Sequence, residues 1–329
     1  MEPYFHHLVA NLLRLDQETH YVLLANSWNA LEFAGLRGEN LSRHVVRTLP
    51  TVLGAARHVV HRVAARTFGA APPRPLQPPA GGLAGLGLDF IHCFPAYIDP
   101  ASQGIPCIVT VADLQHEFYP EFFSPEELHA RHELLQPSAE QAVRIIALSE
   151  FTRQTIVDRF RVAADKVSVI HLGVSSRFLA PPQPEHVTRV RRRYHLPDAY
   201  CIYPANLWPH KNHPRLLAAL ASIPAARRPH LVLTGSPTRT QTPLHREIKE
   251  RELGAYVSWL GFVDAEDLPA LLAGARLMVF PSLFEGFGMP VVEAMAAGCP
   301  VACANATALP EVAADAAWYF DPTLPDAIG

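Results

Sequence analysis

The chain has 329 residues, 49% of them hydrophobic and 18% charged, which is enough apolar sequence for two cores of ordinary domain size. A formal charge of −3 gives no global electrostatic case for nucleic acid, whose binders present a basic domain. Five cysteines (Cys93, Cys107, Cys201, Cys299 and Cys303), odd in number and scattered, suit a reducing compartment and argue against a disulfide framework.

The first predicted element is a helix over EPYFHHLVANLLRL, where apolar residues recur at helical spacing, followed by a short buried strand at YVLLANS. The start has no basic region leading into an apolar core, and no apolar run approaches membrane-spanning length. A cytoplasmic protein is expected, at most peripheral to the inner face of a membrane. From Arg43 to Leu88 there are six arginines and no acidic residue. This stretch is expected as amphipathic helix broken at Pro50, its basic face either simply solvated or a patch for anionic lipid or a lipid-linked acceptor. Ala71 to Gly87 is Pro/Gly-rich and reads as loop. Strands and helices then alternate: LDFIHCF, IPCIVTV, a helix opening at SPEEL, RIIALS, a helix over EFTRQTIVDRF, and VSVI, so a parallel sheet is expected. GVSSRFLAPPQPE, from Gly173 to Glu185, is the linker candidate and divides the chain into domains 1–180 and 181–329.

Beyond the linker the alternation restarts with YCIYPA, a helix from Pro214, HLVLTG, a helix from Pro243, YVSWLG, a helix from Asp264, ARLMVFPS, a helix from Pro290, PVACA and AWYF. The fold class is therefore α/β, with two Rossmann-like doubly wound domains in tandem. Such a domain is expected to open with a strand, whereas this chain opens inside a helix and stops where another helix begins, so both ends are expected to be incomplete. Gly286 and Gly288 have the first spacing of a dinucleotide-binding fingerprint, but Val291 stands where its third glycine belongs, and hydride transfer is poorly supported.

The loop SLFEGFGM between ARLMVF and the next helix carries the chemistry. Gly286 and Gly288 let backbone amides approach a ligand, just ahead of a helix whose first position is expected at Pro290 and whose unpaired N–H groups favour an anion. Glu285 on the loop and Glu293, expected in the first helical turn, flank that anion site and suit hydrogen bonds from sugar hydroxyls. Taken singly, either glutamate is as well explained by the helix dipole, worth about 0.3–1 kcal/mol.

The whole string FPSLFEGFGMPVVEAMAAGCPV closely resembles the E-x7-E signature of retaining glycosyltransferase family 4, also called group 1, which has the two-domain GT-B fold. YPANLWPHKNHPRLL resembles the segment where members commonly carry Arg and Lys against the donor diphosphate. Lys211 keeps the lysine, and Asn206 stands at the arginine position, a pattern associated with polysaccharide mannosyltransferases. IIALSEFTRQTIV and KVSVIHLGVSSRF resemble the last helix of the acceptor domain and the crossing between domains. Many members carry His-Asp after the strand aligned with IPCIVTV; here Ala112 precedes Asp113, with His116 close by, and His92 ends LDFIHCF.

The resemblance implies that a nucleoside diphosphate sugar, GDP-mannose or a UDP-sugar, gives its sugar with retention to a hydroxyl of a glycan or lipid-linked acceptor. Asn206, Lys211, Glu285, Gly286, Phe287, Gly288, Met289 and Glu293 are the implied donor-binding residues. Lys211, Glu285, Asp113 and His116 are the implied catalytic set, with Glu293 on the ribose and Glu285 on the donor sugar. No cofactor is implied beyond the donor. No D-x-D triplet occurs, and no metal is expected. The rival readings are a non-catalytic or truncated donor-binding protein and a nucleotide-sugar epimerase of the same fold.

Overall fold

A computed structural model describes residues 2–26, 33, 35–46, 83–94, 96–99, 102, 104–236 and 244–329. The chain falls into two compact units. The first comprises Met1–Val111, Phe123–Ile146 and Val157–Ser168, and the second Ala112–Phe122, Ala147–Ile156 and Val169–Gly329.

In the first unit the helix Glu2–Leu15 precedes strand β1, Tyr21–Asn26, which pairs in parallel with β2, Leu41–Val46. Val9 and Leu13 of the helix pack with Leu23, Phe33 and Leu36 into a small apolar cluster. LSRHVV is thus a strand and not the opening of an amphipathic helix: the register Tyr21↔Leu41 to Asn26↔Val46 gives it a full ladder with β1, and that tertiary pairing overrides a weak local preference. The rest of the arginine-rich stretch, with its expected basic face for lipid, lies outside the described residues. A second sheet has the order β3 (Ile91–Cys93), β4 (Cys107–Val111), β5 (Arg144–Ala147), β6 (Val167–Val169), with β3 and β4 parallel. The helix Pro125–Gln141 starts where SPEEL predicts. Ser124 Oγ accepts from the Glu127 amide while the Glu127 carboxylate accepts from the Ser124 amide, a reciprocal cap.

The expected linker is more ordered than its composition suggests. Ser176–Phe178 forms a 3-10 turn that drops Phe178, 3% exposed, into the core of the second unit. A helix, Pro184–Arg193, follows at once; it buries Val190 and reaches Asp264 and Asp267 with the Arg193 guanidinium at 2.8 Å each. Those carboxylates precede the helix Leu268–Ala273, which therefore starts four residues after the expected Asp264.

The second unit is built on six strands: β7 (Cys201–Pro204), β8 (Leu231–Thr234), β9 (Val257–Trp259), β10 (Leu277–Phe280), β11 (Val301–Ala304) and β12 (Trp318–Phe320). They lie in the order β12-β11-β10-β7-β8-β9, every pair parallel. Numbered within the unit this is 6-5-4-1-2-3, the Rossmann order, and the direction of winding reverses between β7 and β10. The strands read as unbroken apolar runs because helices cover the sheet; Ile202, Tyr203, Val232, Met278, Phe280 and Cys303 are all fully buried. Phe280 meets Tyr203 edge to face at 5.5 Å, and truncating a buried ring of this kind costs about 3–5 kcal/mol. The five cysteines are free, and burial pushes the Cys299 and Cys303 thiols up to about 11, in keeping with inert core residues. Among the described residues no helix is long and apolar enough to cross a membrane.

Candidate functional site

In open α/β sheets a ligand sits outside the carboxyl ends of the strands where the winding reverses. The second unit has two segments there, one after β7 and one after β10. After β7 the chain runs through Asn206 to a 3-10 turn, Pro209–Lys211, and then Asn212 in the left-handed conformation at φ 61°. Asparagine tolerates this backbone better than most residues. Its buried side chain donates to Pro281 O at 3.0 Å and Pro322 O at 2.8 Å, so the turn is tied to the end of β10. His210 O accepts from the Leu283 amide at 2.8 Å and Tyr203 Oη donates to Lys211 O at 2.6 Å. These bonds fix Lys211 against the second segment before any charge is considered.

There the Lys211 ammonium forms an ion pair with Glu285 Oε1; the two side chains are 14% and 11% exposed. Lys211 Nζ also lies 5.2 Å above the Phe280 ring. Ser282, fully buried, places its hydroxyl 2.5 Å from the same carboxylate oxygen. The Glu285 amide donates to Thr307 Oγ1 at 3.0 Å. Thr307 has φ 52°, an uncommon backbone for a β-branched residue, and the strain coincides with its hold on Glu285. Lysine has three N–H donors, so bonding Glu285 leaves it able to hold an anion as well.

Both loop glycines are needed for space or backbone. A Cβ on Gly286 would overlap the Ala112 carbonyl and crowd the Asp113 Cβ. Gly288 has φ 102° and caps the helix Met289–Ala296. Met289 is the first helical residue and Pro290 the second, one later than the sequence predicts, and Glu293 is the fifth, past the first turn. Glu293 therefore does not complement the dipole at the helix start. Burial instead raises its carboxyl to about 7, against a smaller lowering by the Arg177 charge. Burial, then the Lys211 charge, push the His210 imidazole down to about 3, with Asp113 pulling the other way, so His210 is neutral at physiological pH.

The structure thus brings Lys211, Glu285, Gly286 and Asp113 into one neighbourhood. Asp113 Oδ1 accepts from the Gln115 amide at 3.0 Å. His116 is buried, its Nε2 3.6 Å from Glu117 Oε1. Asn206 accepts from the Ser236 amide at 2.8 Å, which ties it to the turn after β8. His92 lies in β3 of the first unit, 2.7 Å from Thr110 Oγ1. Phe287 is buried and its ring meets His171 at 5.7 Å. Sequence reasoning passes over Ser282, Thr307, His210 and Asn212. Asn212, directly before the Pro214 helix, carries a turn signal in its residue type; Thr307 and His210 act through partners distant in the chain, and Ser282 acts on Glu285 only three residues away.

Comparison with known proteins places these features in a family. Residues 1–178 match the Glycosyltransferase Family 4 model and residues 189–329 match Glycosyl transferases group 1. The chain is 34% identical over 224 residues to O-antigen chain mannosyltransferase B of Escherichia coli, covering 67% of this chain and 58% of that protein. It is 32% identical over 180 residues to MMP alpha-(1->4)-mannosyltransferase of Mycolicibacterium hassiacum, covering 55% of this chain and 41% of that one. The chain thus spans roughly half the length of the relatives it matches. Among solved structures, HepE of Anabaena in complex with UDP and glucose aligns with a TM-score of 0.68 at 18% identity, over 99% of this chain and 83% of that one, a likeness of fold. The parallel sheets here and that likeness agree on two Rossmann-like units of the GT-B type, and the chain belongs to the group 1 glycosyltransferases of family 4.

Proposed function

We propose that the protein is a retaining glycosyltransferase of polysaccharide biosynthesis that moves a sugar from a nucleoside diphosphate sugar to a hydroxyl of a glycan or lipid-linked acceptor. The observation that carries the reading is the Lys211–Glu285 pair beside the Gly286–Met289 loop, where the sheet of the second unit reverses its winding. The mannosyltransferase relatives favour GDP-mannose as donor, and the UDP and glucose bound by HepE keep a UDP-sugar as the second choice. In this reading residues 1–180 form the acceptor side and 181–329 the donor side.

As the bond to the sugar breaks, negative charge grows on the departing diphosphate. Preorganised donors that face that charge lower the barrier most. Lys211 supplies a full charge, and the amides from Gly286 to Met289 supply dipoles at a helix start. Glu285, its carboxylate oriented by Ser282 and Lys211, accepts from hydroxyls of the donor sugar. Glu293 accepts from the ribose. Asp113, beside Gly286, and His116 lie toward the reacting carbon. Asn206 lines the donor segment. Retention needs no paired-carboxylate geometry of the glycosidase kind, and neither a metal nor a further cofactor is required.

Calorimetry with GDP and UDP against guanosine and uridine tests the reading. Lys211→Ala is expected to weaken the diphosphate far more than the nucleoside, since a charge-assisted bond is worth about 1.5–3 kcal/mol. Equal losses for both ligands would remove Lys211 from the phosphate site.

A further inference from the structure

The Gly286 carbonyl is gripped by two hydroxyls that the reaction scheme does not use. Ser149 Oγ lies 2.8 Å from it and Thr152 Oγ1 3.2 Å, and both residues are buried. Each hydroxyl has one proton, and with both donated here the two lone pairs of the carbonyl are filled. Ser149 Oγ also accepts from the Thr152 amide at 3.1 Å, which caps the helix Glu150–Phe160. The start of that helix is pinned in turn. Glu311 accepts from the amides of Glu150 at 2.8 Å and Phe151 at 3.1 Å, and lies 2.7 Å from His171 Nε2. Glu311 belongs to the short helix Leu309–Ala313, which follows Thr307, the residue that holds the Glu285 amide. These bonds, joined by the short stretches of chain from Thr307 to Glu311 and from Ser149 to Thr152, link Glu285 and Gly286 to the start of the helix Glu150–Phe160 within the second unit.

A trans peptide points its C=O and the next N–H in opposite directions. Fixing the Gly286 carbonyl therefore fixes the Phe287 N–H on the other edge of the peptide. Among the described residues, the amides of Gly286, Phe287, Gly288 and Met289 donate to no protein acceptor. Were the Gly286–Phe287 peptide to turn over, a carbonyl oxygen would replace an N–H on that edge, an acceptor where an anion needs a donor.

We propose that Ser149 and Thr152 are positioning residues that lock the Gly286–Phe287 peptide with its amide directed to the donor diphosphate. The phosphate side of this proposal rests on the donor reading above; the lock itself does not.

The test uses Thr152→Val, which keeps the shape and removes the hydroxyl, Thr152→Ser, which restores it, and the double variant Ser149→Ala/Thr152→Val. In the ligand-free protein the Phe287 amide resonance is expected to shift or broaden in Thr152→Val and in the double variant, and to stay near the wild-type position in Thr152→Ser. The Kd for GDP or UDP is expected to rise at least tenfold in the double variant, while that for guanosine or uridine stays within twofold. Thr152→Ser is expected to bind both ligands as the wild type does. An unmoved Phe287 resonance, or equal weakening of nucleoside and diphosphate, would overturn the proposal. If the resonance moves but the wild type binds neither GDP nor UDP, the donor reading falls and not the lock. Should the double variant fail to fold, the comparison of Thr152→Val with Thr152→Ser decides.

Discussion

Lys211 and Glu285 stand 74 residues apart in the chain, yet their side chains form one ion pair, with Ser282 Oγ on the same carboxylate oxygen. Each neutralises a charge that the other would leave largely out of water. Lys211→Ala and Glu285→Gln should therefore each destabilise the protein, toward the low end of the ~3–5 kcal/mol that breaking a buried pair costs, because both side chains keep some exposure. The double variant should lose less than the sum, with a coupling of about 0.5–3 kcal/mol. Chemical unfolding of the four proteins measures it, and strictly additive losses would show the pair to be energetically idle.

Glu285 and Glu293 should fail differently when each becomes Gln. Glu293→Gln is expected to raise the Kd for the free nucleoside diphosphate, as a carboxylate accepting from ribose hydroxyls gives way to a poorer acceptor. Glu285→Gln should leave that Kd nearly unchanged and lower kcat/KM for transfer. Loss of melting temperature in both, with normal affinity in both, would reduce the two glutamates to structural roles.

Glu293 also predicts opposite pH trends for stability and binding. Its carboxyl is raised from 4.5 to about 7 in the folded protein, so folding takes up a proton. The stabilisation is full below about 4.5, falls as pH rises toward 7 and is lost above it. Accepting from ribose needs the charged form, so affinity for GDP or UDP should rise between pH 6 and 8 while the ligand-free melting temperature falls between pH 5 and 7.5. Glu293→Gln should flatten both profiles. Unchanged profiles in that variant would assign the titration to another group.

Transfer should survive EDTA. No D-x-D triplet is available to clamp a cation on the diphosphate, and Lys211 with the loop amides is expected to do that work. Activity abolished by EDTA and restored by Mn²⁺ would contradict it.

Elements whose local signals agree were legible in the sequence. EFTRQTIVDRF is the helix Glu150–Phe160, and Ser124 with Glu127 marks a helix start that the structure confirms atom by atom. The strands around the site were read within a residue or two because a covered parallel sheet makes them continuous apolar runs. Misread segments are those decided by distant partners. LSRHVV became a strand through β1, and the linker expected from Gly173 to Glu185 gave way at Pro184 to a helix held by Val190 in the core and by Arg193 on Asp264 and Asp267. Glu293 was placed one residue too early, inside the first turn instead of just past it, because Pro290 is the second helical residue and not the first. The grip of Ser149 and Thr152 on Gly286 spans more than 130 residues, beyond any local pattern.

The strand order has a consequence for how the site comes into being. β7 lies beside β8, the next strand in sequence, but its other neighbour is β10, and Cys201 waits for Leu277. A growing chain can assemble β7, β8 and β9 from contacts between neighbours in sequence, whereas the β7–β10 seam closes a long loop and comes at greater entropic cost. A polypeptide folded only as far as β9 has Lys211 but not Glu285, and no loop of amides beside it. Nucleotide binding would then report that the two halves of the sheet have joined. By mass action a bound nucleotide would hold that seam shut, adding about 2.7 kcal/mol at a concentration 100 times its Kd.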